Sequence, residues 1–190
     1  PAVRNSDGQL VKLGPNNSLP AGASPNPAEA TRNSNPWRNT GVPQSTTASL
    51  SANLGYDVSN EVQLYGFGTY AHRNARSAQN FRLPNTIFNN NKGLLSVYPD
   101  GFTPYETTSE NDVALTGGIK GETAGWSWNV SSTYGRDDID VGVEHSANYS
   151  LNYPGGKTDF DIGNQRYSRS TTNADVRRPV QLGLSEPADL

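Results

Sequence analysis

From Thr47 to Tyr56 the chain reads Thr-Ala-Ser-Leu-Ser-Ala-Asn-Leu-Gly-Tyr, with Ala48, Leu50, Ala52, Leu54 and Tyr56 at every second position. A period of two puts those five side chains on one face of a strand and Thr47, Ser49, Ser51, Asn53 and Gly55 on the other. A helix would scatter both sets around its axis. The run is also about as long as a tilted strand that crosses a bilayer, which needs roughly 9–11 residues. Nothing else in the chain restricts its fold as tightly.

The same pattern returns further on. Residues 112–120 set Val113, Leu115, Gly117 and Ile119 against Ala114, Thr116, Gly118 and Lys120. After Gly121-Glu-Thr-Ala-Gly125, the positions Trp126, Trp128, Val130, Ser132 and Tyr134 oppose Ser127, Asn129, Ser131, Thr133 and Gly135. Residues 61–73 form a further strand of ambiguous facing: Val62, Leu64 and Tyr70 have one parity, Tyr65, Phe67 and Ala71 the other. Glycines at 66 and 68 suit a curved sheet there. A fifth strand spans about 170–184, with Ala174, Val176, Val180, Leu182 and Leu184 on one side; Arg178 interrupts that side and Pro179 the ladder.

The connections sort as strictly as the side chains. Asp57-Val-Ser-Asn60, the stretch 121–125 and Leu184–Asp189 are short turns by composition, whereas 74–111 and 136–167 are long and lack sustained periodicity. Val141, Val143, His145, Ala147, Tyr149 and Leu151 alternate within the second of these, so a strand is expected to extend into it. In an up-and-down sheet successive connections lie on opposite sides, so all the short turns share one side and all the long loops the other. Short turns on one side and long loops on the other is the pattern of an outer-membrane β-barrel. The expected fold is therefore all-β, with antiparallel up-and-down strands over 46–190 forming a segment of a large transmembrane barrel. Five strands leave two edges, and an open edge is untenable in lipid, so the barrel extends beyond these residues. Residues 1–45 read as an irregular polar loop, extracellular in this scheme, or as a tail. Pro1 starts the chain without a methionine or a charged-then-apolar leader, and both ends read as cut.

Composition narrows the function classes. The hydrophobic share is 33% and mean hydropathy −0.71, low for a water-soluble globule but natural where one face of each strand is polar. Disorder is a poor alternative, because Tyr, Phe and Trp recur within the alternating runs. A net charge of −3 with no basic patch excludes a nucleic-acid partner. There is no cysteine, hence no disulfide framework, thiolate metal site or cysteine nucleophile. No run approaches the ~20 apolar residues of a membrane helix.

Ordered pieces of the sequence resemble a known family. Tyr65-Gly-Phe-Gly-Thr-Tyr-Ala-His-Arg73, Tyr98-Pro-Asp-Gly-Phe102 with Pro104, Gly125-Trp-Ser-Trp-Asn-Val-Ser-Ser-Thr-Tyr-Gly-Arg136, Asn148-Tyr-Ser-Leu151 and Phe160-Asp-Ile-Gly163 follow one another as in the barrel of TonB-dependent outer-membrane receptors. The likeness runs from about Thr46 to Leu190 and covers the early-to-middle barrel. It implies a place in the outer membrane of a Gram-negative bacterium, with outer-membrane lipid as a partner. It implies coupling to TonB through a plug and a TonB box that these residues do not show. It also implies extracellular loops that capture a scarce nutrient, whether an iron chelate, a vitamin or an oligosaccharide. Two alternatives stay open: a passive porin, and a soluble β-rich binding or adhesion module, whose strands also alternate.

Candidate sites follow from the same residues. Tyr56, Trp126 and Trp128 lie where an interfacial aromatic girdle belongs. Tyr98, Asp100, Phe102 and Tyr105, with Arg76 and Arg82, are the ligand-binding candidates of the long loop. His72 and His145 have no metal-ligand spacing, and Asp137-Asp138-Ile-Asp140 lacks the glycine and terminal glutamate of the common calcium loop, so no metal site is expected. No nucleophile–base order, paired-carboxylate site or phosphate cradle is present. The chain is expected to be no enzyme, without a catalytic residue or cofactor.

Overall fold

The structure is a computed structural model, and it describes residues 3–25, 27–31, 42–183 and 188–189. The strands are β1 (Val3–Asn5), β2 (Leu10–Val11), β3 (Ala23–Ser24), β4 (Gln44–Asp57), β5 (Val62–Ala78), β6 (Tyr105–Thr123), β7 (Trp126–Glu144), β8 (Phe160–Arg177), β9 (Pro179–Val180) and β10 (Ala188–Asp189). One short helix, α1 (Pro84–Asn90), and 3-10 turns at Pro15–Asn17, Pro27–Ala30 and Lys92–Ser96 complete the regular structure of the described residues. The fold is all-β with antiparallel sheets. Strands β4 to β8 lie side by side in chain order in one five-stranded sheet whose outer strands, β4 and β8, remain edges.

Two connections are as tight as composition requires. Between β6 and β7 only Ala124 (φ 53°) and Gly125 (φ 79°) intervene, both in the left-handed region. That is the two-residue hairpin turn whose twist matches the flanking strands. Between β4 and β5 the amides of Val58 and Ser59 both donate to the Val62 carbonyl, at 2.9 and 3.2 Å.

Side-chain contacts assign the two faces of the sheet. The Tyr65 hydroxyl donates to Asn129 Oδ1 (2.8 Å), the Gln63 amide donates to Asp57 Oδ1 (2.7 Å), and the Thr116 and Thr133 hydroxyls are 2.7 Å apart. A Cβ at Gly118 would strike the Tyr65 ring, so glycine is required where the phenol crosses β6. These residues form the polar face. On the other face Gly68 meets Leu115, Gly121 meets the Trp128 indole, and Ser132 bonds Thr172 at 3.3 Å. Alternation then carries Leu50, Leu54 and Tyr56 of β4, Val113 and Ile119 of β6, Trp126, Val130 and Tyr134 of β7, and Val176 of β8 to that apolar face. The facing of 61–73 follows: Val62, Leu64 and Tyr70 are apolar-face residues, and Tyr65 and Phe67 point to the polar side.

By its contacts the chain divides into two units. One comprises Pro1–Ser45, Ala75–Thr108 and Val141–Gly163; the other comprises Thr46–Asn74, Ser109–Asp140 and Asn164–Leu190. The first holds a buried core of Ile87, Leu94, Leu95, Tyr98, Phe102 and Tyr153. The Asn91 amide ties it together, donating to the carbonyls of Tyr149 (3.0 Å) and Leu151 (2.8 Å). Helix α1 opens with Pro84, whose missing N–H costs nothing at that position. At seven residues it depends on burying Ile87, since so short a helix is unstable alone.

The strands outrun the expected ones. β5 continues to Ala78, β6 begins at Tyr105, β7 reaches Glu144 and β8 starts at Phe160, so the connections within 74–111 and 136–167 are shorter than composition suggested. From Arg136 to Asp140 both faces of β7 carry charge and hydropathy gives no signal; the alternation from Val141 did announce an extension, but β7 ends at Glu144 and residues 145–151 lie in the connection to β8. Residues 1–45, expected to be irregular, include β1 paired antiparallel with β2 and β3. Strands of two or three residues are too short to alternate. Near the end of the chain, Val180 pairs with Ala188 and Pro179 with Asp189, while the expected turn at 184–189 lies mostly outside the described residues.

Candidate functional site

The loop residues singled out for binding fall into two groups. Tyr98 and Phe102 are inside the core, 7% and 3% exposed, with stacked rings 4.3 Å apart. The Tyr98 hydroxyl donates to the Ser146 carbonyl at 3.3 Å. The Asp100 Oδ1 atom is buried without a hydrogen-bond partner among the described residues. Arg82 and Phe102 exchange backbone hydrogen bonds of 2.7 and 3.1 Å, which close the base of this loop. Arg82 itself is exposed.

Arg76 and Tyr105 meet in the way a surface site would need. The Arg76 guanidinium lies 3.5 Å from the Tyr105 ring centroid, and its Nε donates to Glu144 at 3.1 Å. Beside them the His145 ring packs edge-on against Tyr98 at 4.8 Å. His145 holds φ 50°, a conformation unfavourable for a residue with a Cβ; its amide is anchored to Asp159 Oδ1 at 2.8 Å. Arg76, Tyr105, Glu144 and His145 make a compact polar-aromatic cluster. Glu144 and Asn91 had no sequence signal of their own, one reading as loop charge and the other as turn chemistry.

The apolar face carries Tyr56, Trp126 and Trp128, the aromatics singled out in the sequence. Tyr56 is 70% exposed and Trp126 41% exposed, and the Trp128 indole N–H donates to Thr123 Oγ1 at 3.3 Å. The Arg178 guanidinium lies over the Trp126 ring at 5.2 Å. Between these residues and Tyr70 and Tyr134, Leu50, Leu54, Leu64, Leu115, Val130 and Val176 are 43–76% exposed. Beyond Tyr70 and Tyr134 the same face turns polar on β5, β6 and β7. The His72 Nδ1–H donates to Asn111 Oδ1 (3.0 Å), which also accepts the Tyr70 hydroxyl (2.9 Å), and Asn74 donates to His72 Nε2 (3.0 Å). Asp138 accepts from both Arg136 and Arg166, and Asp140 accepts from Asn164 at 3.0 Å.

The polar face has a concavity of its own at the short-turn end. A cavity of about 880 Å³ is bounded by the ends of all five strands, from Asp57 on β4 to Arg177 on β8. Among the described residues no cluster of three or more His, Cys, Asp or Glu side chains could hold a metal ion. Among the described residues no helix is long and apolar enough to cross a membrane, which says nothing of strands. Compared with known proteins, the chain matches no family model, no curated protein and no solved structure.

Proposed function

We propose that this chain is a segment of an outer-membrane β-barrel of the TonB-dependent receptor kind, a transporter that captures a scarce nutrient outside the cell and passes it to the periplasm. One observation carries the membrane part of the reading. The large exposed apolar side chains of β4 to β7 lie almost entirely on one face of the sheet, and on β5, β6 and β7 that face changes to polar residues at one level.

The dimensions support it. On β7 the apolar stretch runs from Trp126 to Tyr134. Its eight residue-to-residue steps of ~3.3 Å, tilted by about 40°, span roughly 20 Å of bilayer, close to the ~25 Å apolar band of outer-membrane barrels. A water-soluble monomer rarely leaves so large a contiguous apolar surface open. Tyr56, Trp126 and Trp128 stand at one border and Tyr70 and Tyr134 at the other, where interfacial aromatics are favoured. The polar face, with Asn129, Thr116 and Thr133, then borders a wet lumen.

The receptor part is tested by uptake. Deleting the parent gene is expected to abolish uptake of one nutrient among iron chelates, vitamins and oligosaccharides, and loss of TonB to abolish the same uptake. Unchanged uptake of all three classes in both strains would contradict it.

A further inference from the structure

Two arginines on neighbouring strands converge just past the Tyr134 border of the apolar face. Arg136 follows Tyr134 by two residues on β7, so it shares that face and stands one step beyond the ring. The contacts Ser132–Thr172, Asp138–Arg166 and Asp140–Asn164 keep β7 and β8 in one register, which puts Ser170 opposite Tyr134 and Ser168 opposite Arg136. A single carboxylate, Asp138, holds both guanidiniums: Oδ2 accepts from Arg136 Nε at 2.6 Å and Oδ1 accepts from Arg166 Nε. The anchor is the least open of the three, at 21% side-chain exposure against 39% for Arg136 and 60% for Arg166. A guanidinium has five N–H donors, and Asp138 takes one from each arginine. Most donors of both forks therefore remain for an outside acceptor. Asp140 faces the same way but lies one step farther from the apolar band, where it accepts from Asn164 at 3.0 Å.

We propose that Arg136 and Arg166 bind the phosphate of an anionic lipid headgroup whose acyl chains lie on the apolar face of β6 and β7. The planar fork of a guanidinium matches two phosphate oxygens at once, and Asp138 fixes both forks before a ligand arrives. Two cations against one shared carboxylate favour an anionic headgroup over a zwitterionic one. The height is right, because headgroups lie at the level of the interfacial aromatics, here Tyr134. Below the arginines Val113, Leu115, Val130 and Tyr134 give the chains an apolar track. An exposed ion pair contributes little to stability, so the fold alone is a weak reason for two arginines on one carboxylate. The assignment rests on the membrane reading in taking this face as lipid-facing, and adds which lipid group it holds and where.

The test is lipid binding to the parent barrel by native mass spectrometry from detergent micelles. Phosphatidic acid is the anionic probe and phosphatidylcholine of the same chains the zwitterionic one. Preferential binding of phosphatidic acid is expected, weakened about tenfold in Arg136→Gln and in Arg166→Gln, as the loss of a charged hydrogen-bonding group implies. Arg169→Gln makes the same charge change on the opposite face of β8 and is expected to leave binding unchanged. Arg166→Lys keeps the charge without the fork and serves if a glutamine variant does not fold; it is expected to weaken binding about threefold. Glycerol phosphate at the same concentration is expected not to displace the lipid, because it has no chains for the apolar face. Displacement would assign the arginines to a soluble phosphate and overturn the lipid. Equal binding of the two lipids, or binding indifferent to positions 136 and 166, by a barrel that needs detergent to fold would overturn the site and leave the membrane reading standing. A parent protein folded and monodisperse in plain buffer that takes phosphatidic acid through both arginines would keep the phosphate site and overturn the membrane reading.

Discussion

Tyr98 shows how a single side chain couples the loops to pH. Burial is the main cause that raises its pKa above the ordinary tyrosine value; the Thr158 hydrogen bond opposes the shift, and Asp159 and Tyr153 add to it. An unfolded tyrosine ionises near pH ~10, so the unfolded chain loses this proton first. The stability linked to Tyr98 is therefore complete below about pH 10 and is lost as pH rises through the higher folded value. In a spectrophotometric titration Tyr98 is expected to ionise above the ordinary tyrosine range, and Tyr98→Phe to remove that late component. Asn91 gives a second test. Its amide serves two carbonyls, of Tyr149 and Leu151, and truncation leaves both short of a donor. Asn91→Ala is expected to cost about 1–3 kcal/mol, read as faster hydrogen exchange in 145–153.

At the scale of the strand, two neighbours on β4 separate the readings of the sheet. Leu54 is on the apolar face and 76% exposed; Asn53 is on the polar face. In lipid Leu54→Arg is expected to cost ~2–4 kcal/mol, the range for a cation near the mid-plane of a barrel wall. Asn53→Arg is expected to stay within about 0.5 kcal/mol, as surface substitutions do. Urea unfolding of the parent barrel carrying each variant in liposomes, followed by gel mobility, measures the difference; equal, small effects would contradict a lipid-facing Leu54. What the sequence made legible follows the same chemistry. β4, β6 and the first half of β7 were readable because one face is apolar and the other is not. β5 was ambiguous because Gly66 and Gly68 thin its apolar face while Tyr65 and Phe67 enrich the other. The extension of β6 was hidden where both faces are polar, and that of β7 showed only from Val141, past the charged stretch 136–140. Tyr98 and Phe102 resembled exposed binding aromatics because burial among Ile87, Leu94 and Tyr153 depends on contacts distant in sequence, which no local pattern records. The Arg76–Tyr105 stacking was legible as residue types only; the partnership with Glu144 was not.

For the whole molecule, the free edges of β4 and β8 constrain what completes the sheet. β4 is fourteen residues long and carries no charge before Asp57, no proline and none of the devices that protect a natural edge. With five antiparallel strands in chain order, β4 and β8 run in the same direction. Joined directly they would pair parallel. An all-antiparallel closed barrel therefore needs an odd number of further strands, and counting strands along the complete reading frame checks this; an even number elsewhere would contradict antiparallel closure. The most direct test of a lipid-facing sheet uses the tryptophans at its border. With Trp37 and any tryptophan outside these residues replaced by Phe, the parent barrel is folded into liposomes whose lipids carry bromine on the acyl chains, and the fluorescence of Trp126 and Trp128 is recorded. Strong quenching by the brominated chains, with little by aqueous acrylamide, is the expected result. Fluorescence indifferent to the brominated chains and quenched by acrylamide, from a chain that is folded and monodisperse in plain buffer, would contradict it.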